Sequence, residues 1–306
     1  YSKQNCSARG ILVHENVVYL ATSTGQLIAY DLKTDSIINL MSGKNFQEMR
    51  DVAFSDGNIY GMQSGTDGLL AHTNGREFVN FINAKGREWI GVFLDGMDFY
   101  GSTGFIMGDP VDGFFKLFYS TDSGKTWLPC EGKVSALKDE GGFAASGTNV
   151  QVLNDSTFIF VTGGFASRFF KSTDYGKTWE CSSIPYLAGH ASGAFSVHFI
   201  TDQIGVVVGG DYKNPDFIMN NSYFTTDGGK FWTNSKKQVL GYRSCVIETN
   251  GIFYACGTTG IDYSKDNGNT WNSFAKGNFL AMASDKTSLY ATCTNGTFQK
   301  FELLRK

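Results

Sequence analysis

The stretch YSTDSGKTW, residues 119–127, returns three times, as KSTDYGKTW (171–179), FTTDGGKFW (224–232) and YSKDNGNTW (263–271). The shared pattern is Ser/Thr-x-Asp-x-Gly, closed three residues later by tryptophan. Each position has a mechanical use. The carboxylates of Asp122, Asp174, Asp227 and Asp266 can accept hydrogen bonds from turn N–H groups. Gly124, Gly176, Gly229 and Gly268 supply the left-handed backbone of a tight turn. Trp127, Trp179, Trp232 and Trp271 re-enter a sheet as large apolar plugs. An Asp-x-Gly spacing offers too few oxygen ligands for a calcium loop, so no metal is expected here. The boxes read as joints of a scaffold.

The four tryptophans stand 52, 53 and 39 residues apart. The chain of 306 residues holds 37 Gly, 26 Phe and 14 Tyr but only 4 Pro, a composition for many short strands and tight turns. Such a period in a strand-rich chain marks the blades of a propeller. Seven units repeat a short strand, a turn and a second apolar strand, for example RGILVHENVVYLATSTG, RDVAFSDGNIYGMQSGTDG and RSCVIETNGIFYACGTTG. The prediction is an all-β fold, one seven-bladed β-propeller domain over residues 1–306. The seventh unit has three strands, and the N-terminal YSKQN is expected to add the fourth and close the ring.

The boxes resemble the bacterial neuraminidase repeat, or Asp-box. With the phrases GDPVDG, FAASGT, GGDY and GYRS, the chain resembles the photosystem II stability/assembly factor-like propellers over nearly its whole length. That resemblance implies a non-catalytic scaffold that holds a client protein.

Composition narrows the function further. A net charge of −3 without basic clusters argues against nucleic acid, and no apolar run reaches the length of a membrane span. Six cysteines without CxxC spacing form neither a disulfide framework nor a zinc site. Cys245 and Cys256 fall opposite each other if Asn250-Gly251 is a two-residue hairpin turn, and they read as two buried thiols. No phosphate loop, dinucleotide fingerprint or HExxH occurs, and no cofactor is expected. The starting tyrosine and the resemblance point to export, to the periplasm, the cell surface or the exterior, and a monomer is expected.

Each box should join the third and fourth strands of a blade, which puts all boxes on one face. On the other face, Arg9, Arg50 and Arg243 hold matching positions at the start of an innermost strand, and should converge at the channel mouth. Asp109 and Asp211 match after second strands, with Tyr212, Tyr242 and His190 as neighbours. Such cations and acids suit an anionic protein or carbohydrate ligand. The same side chains could instead pair and tie the ring together.

The alternative is a glycoside hydrolase, sialidase-like or inverting, acting on an acidic sugar with Asp109 and Asp211 as catalytic carboxyls. Against it, ARGIL lacks the aromatic residue and the Ile-Pro that flank the first sialidase arginine, and Tyr242 has no convincing acidic partner. The expectation is a binding propeller that uses the face opposite the boxes.

Overall fold

The computed structural model describes residues 6–42, 46–65, 68–82 and 91–305, and all of their regular structure is β-strand. Seven antiparallel sheets follow one another along the chain. Blade 1 spans Ala8–His14, Val17–Thr22, Leu27–Asp31 and Ser36–Asn39, paired in that order. Blade 2 begins at Glu48, blade 3 at Leu94, blade 4 at Val150, blade 5 at Ser192 and blade 6 at Cys245, each pairing four strands in chain order, and the blade 5 sheet carries two further short strands, Glu140–Gly141 and Gly163–Gly164. Blade 7 has three described strands, Phe279–Ser284, Ser288–Cys293 and Phe298–Glu302. The expected closing strand YSKQN lies outside the described residues.

The first strands of successive blades pack against one another around the ring, and that of blade 7 packs on that of blade 1. They therefore surround the axis. Burial follows: second strands such as Thr157–Val161 and Ile252–Gly257 are buried end to end, because neighbouring blades cover both of their faces. Outermost strands such as Glu180–Ser183 are largely exposed.

The core is divided among the blade interfaces. Blades 1 and 2 share a cluster around Leu27, Met49 and Ile59, and blades 3 and 4 one around Phe105, Phe158 and Phe170. The ring closes in the same way, with Ala8, Val18, Leu20 and Ile28 of blade 1 packed on Tyr290 of blade 7. Burial of this kind stabilises by about 25 cal/mol per Å² of apolar surface.

The four repeated turns join third and fourth strands, as their sequence predicts. At Asp174, one oxygen accepts from Ser172 Oγ (2.8 Å), Lys177 N–H (3.0 Å) and Thr178 N–H (2.9 Å), and the other from Thr178 Oγ1 (2.7 Å). Asp122 and Asp266 repeat the Ser and Thr contacts. At Asp227, Phe231 stands where the others have Thr, and only its N–H donates. Gly176 takes φ 76° and Gly229 φ 89°, conformations in which a Cβ would be strained. Trp127 packs with Tyr60 and Met62 of the preceding blade, and Trp271 with Val206 and Val208. The boxes are wedges between blades.

Asn250 and Gly251 form the expected tight turn, with φ 55° and 75°. Cys245 and Cys256 stand opposite each other as buried free thiols.

Candidate ligand-binding site at the channel mouth

The face opposite the boxes carries the starts of the first strands, the links between blades and the turns after the second strands. At the channel mouth these elements enclose a hollow of about 400 Å³. Its walls are largely decided by irregularity. Register shifts fall between Ala8 and Gly10 in blade 1, Met49 and Asp51 in blade 2, and Ala194 and Ser196 in blade 5. The extra residues are Arg9, Arg50 and Phe195, and all three line the hollow. A bulge inserts an unpaired residue and re-aims its side chain. In blade 7, Leu280 lies within a comparable shift and lines the same hollow.

Arg9 makes no side-chain hydrogen bond or ion pair among the described residues. Burial lowers its pKa, and the nearby Arg50 guanidinium lowers it further. Arg50 is partly committed: Nη1 donates to the Ala144 carbonyl (2.9 Å) and Nη2 to Glu48 Oε2 (2.8 Å). Its buried Nε–H has no partner. The buried hydroxyl of Thr258, another residue lining the hollow, has none either. Tyr242 is 5% exposed, and its hydroxyl makes no hydrogen bond among the described residues. Burial drives its pKa upward, so it remains a neutral donor.

Aromatic rings form the apolar wall. Phe143 stacks on Phe195 at 3.9 Å between centroids, and Tyr242 meets Phe195 edge-on at 4.8 Å. Tyr212 is 47% exposed at the rim. Phe143 arrives on the long link between blades 3 and 4, which is anchored by a short extension of the blade 5 sheet. In that extension Glu140–Gly141 pairs with Gly163–Gly164, and Gly163 with Gly193. A buried ion pair between Glu140 and Arg168 (2.6 Å) fastens the same segment.

The hollow brings together Arg9, Arg50, Tyr212 and Tyr242 from the expected group. Arg243 does not join them. It is 1% exposed, and Nε donates to Asp262 Oδ2 (2.8 Å). Nη2 reaches Asp262 and the Leu240 carbonyl, and Nη1 reaches the Tyr242 carbonyl and Thr259 Oγ1. Its donors are spent inside the protein. In blade 6 it is Ser244, one residue later, that faces the hollow. Both residues precede the first strand of blade 6, which starts at Cys245, and the Arg243 guanidinium is turned to Asp262 in the third strand of the same blade.

Asp109 and Asp211 also part company. Asp109 and His190 line a second hollow, and Asp211 lines a third with Leu187, Asn214 and Met219. No described hollow is lined by both aspartates. Asp211 Oδ1 accepts from Lys213 N–H (2.8 Å), a turn-capping role. His190 meets Phe165 edge-on at 4.7 Å.

Sequence reasoning missed Phe143, Phe195, Ser244, Thr258 and Leu280, because apolar and hydroxyl residues at strand starts carry no chemical signature. It also missed Asp95, which is 1% exposed with neither carboxyl oxygen hydrogen-bonded. Burial raises the Asp95 pKa well above the usual carboxylate range, Asp109 adds to the rise, and Arg50 opposes it.

No family model and no curated protein matches the chain. Solved structures do. The WD40 β-propeller domain of Doa1 aligns with TM-score 0.67 at 9% identity, over 97% of this chain and 93% of that one. A computationally designed protein, Ika8, aligns with TM-score 0.61 at 12% identity, over 98% and 97%. YCF48, in a structure described as bound to D1 peptide, aligns with TM-score 0.62 at 11% identity, over 97% and 94%. At such identities the likeness carries the fold alone: this chain is a seven-bladed β-propeller.

Proposed function

We propose that the protein is a binding propeller that holds a carboxylate-bearing segment of a protein partner at its channel mouth. The observation that carries this reading is a surplus of donors. The Arg9 guanidinium and the Tyr242 hydroxyl belong to residues lining one aromatic-walled hollow and have no acceptor among the described residues, and the buried Arg50 Nε–H and Thr258 hydroxyl of two further lining residues have none either. Buried polar groups are normally satisfied, and orphaned ones cost about 1–3 kcal/mol each. An anionic group seated there relieves that cost and the repulsion between the two guanidiniums.

Two further points support the reading. A fold neighbour is described with a bound peptide. The boxes and the phrases GDPVDG, FAASGT, GGDY and GYRS resemble those of the assembly factor-like propellers. Assignment to that Asp-box family, and export from the cytoplasm, belong to the same proposal. Glycoside hydrolysis is disfavoured because Asp109 and Asp211 occupy separate hollows.

The test is a thermal-shift screen against short acidic peptides and acidic sugars, with Arg9→Ala in parallel. A ligand at 100 times its Kd adds about 2.7 kcal/mol to stability. An upward shift with acidic peptides, absent in Arg9→Ala, is the expected result. A shift with sugars alone would move the reading to a glycan. Equal shifts in both proteins would remove the hollow from consideration.

A further inference from the structure

One connection on the mouth face is longer than its counterparts. Residues 212–221 join the second and third strands of blade 5, Gly205–Asp211 and Ser222–Thr225, whereas residues 258 and 259 suffice in blade 6. Among the described residues no other connection of this kind is as long. Long loops on a rigid scaffold commonly carry binding. This one is well fastened. Asn214 N–H donates to the Asp211 carbonyl (3.1 Å), and Phe217 N–H to the Asn214 carbonyl (3.1 Å). The Pro215 carbonyl accepts from Tyr242 N–H (2.8 Å), which ties the loop to a residue of the mouth. The Tyr212 ring meets those of Phe195 and Tyr242 at 6.2 and 6.4 Å between centroids.

The loop leaves apolar side chains in solvent. Ile218 is 51% and Met219 59% exposed, and Leu187, on the link from blade 4 to blade 5, is 55% exposed. Met219 and Leu187 line a hollow of about 270 Å³, with Tyr186 and Phe217 beside them. Exposed apolar residues scattered singly are ordinary, but several around one concavity mark a contact site. Among the described residues that line it, Asp211 alone is charged, and its Oδ1 is held by Lys213 N–H (2.8 Å). Asp211 lines this hollow, and the next residue, Tyr212, lines the mouth. Consecutive residues therefore border the two.

We infer that the hollow between the 212–221 loop and the 186–189 link takes a large apolar side chain from the same peptide segment that places its carboxylate at the mouth. The inference narrows the class of partner and rests on the carboxylate reading of the mouth. Charge complementarity selects the occupant. The spare donors of Arg9 call for an acid on one side, and the surface of Leu187 and Met219 calls for an apolar group on the other. Asp211 repels a carboxylate, so the two groups do not exchange places. The occupant is a segment with leucine, methionine or phenylalanine close in sequence to aspartate or glutamate.

The experiment is calorimetric titration of capped Gly/Ser peptides that carry one Asp and one Leu, on either side of each other, with none to about four residues between them. Control peptides replace Leu by Ser or Asp by Asn. The expected result for the wild-type protein is a preference of about tenfold for leucine over serine at the best spacing. That ratio falls towards one in Leu187→Ser and in Met219→Ser, whose preference for Asp over Asn is unchanged, and it is kept in Met219→Leu. Both side chains are more than half exposed, so the variants should melt with the wild type. Equal binding of leucine and serine peptides at every spacing, with the preference for Asp over Asn intact, would overturn this inference alone. A leucine preference that survives both serine variants would overturn it too. Failure of every Asp-bearing peptide to bind would overturn the reading of the mouth, and this inference with it.

Discussion

At Asp174, on one face of the ring, a single carboxylate receives hydrogen bonds from three residues, all within six positions of chain. At Arg9, on the other face, a guanidinium with five donor hydrogens makes no hydrogen bond among the described residues. The contrast teaches how the molecule divides its polar groups. On the box face they satisfy one another and hold blades in place. At the mouth they are left over, beside aromatic rings and in a space large enough for a ligand.

The contrast extends to charge. At Asp174, burial alone would raise the carboxyl, but hydrogen bonds from the Thr178 hydroxyl and N–H outweigh it and bring the pKa to about 2. Asp98, in the inner strand of blade 3, moves the other way. Burial raises it to about 6 against the Val152 and Phe99 N–H groups.

The largest effect should come from the arginine that belongs to the scaffold. Arg243→Met leaves Asp262 buried and uncompensated, and should cost about 3–5 kcal/mol in urea unfolding. An unchanged midpoint would place Arg243 among the spare groups and dissolve its difference from Arg9.

Next is the pH dependence of the inner aspartates. Folded Asp98 holds its proton more tightly than the unfolded chain does. Its contribution is therefore complete below the ordinary value of 3.8 and is lost as pH rises through about 6. The loss is about 3 kcal/mol. Melting temperatures from pH 4 to 7 should fall less in Asp98→Asn than in the wild type, and parallel curves would refute the assignment.

A smaller cost, about 1–2 kcal/mol at neutral pH, is expected for Asp174→Ala, whose exposed hydrogen bonds are weakened by solvent. The sign is opposite. The Asp174 contribution is present above 3.8 and lost as pH falls through about 2, so mutant and wild type should converge in acid.

The smallest stability change belongs to Arg9→Ala, within about 0.5 kcal/mol, because no internal partner is lost. Its effect should appear in ligand binding alone. A large loss of stability would show that Arg9 is a structural tie after all.

Much of this was legible in the sequence. Each box closes within nine residues, so its hydrogen bonds and its glycine turn follow from local spacing. Blade number follows from the repeat. The site was half legible. Arg9, Arg50 and Arg243 each precede an apolar strand and look equivalent, yet one is offset by a residue from the other two. Phe143 gave no sign, because its position depends on the Glu140–Arg168 ion pair and on strand pairing with a distant turn.

By itself the sequence determined the class of fold, the ring of seven units, the wedge turns and the face on which they lie, because those depend on contacts between near neighbours in the chain. Only the tertiary structure decided which polar groups are spent and which are spare. Bulges in the inner strands set the direction of each side chain, and the closed ring sets what it meets there. Neither is encoded in the spacing of residues along one strand.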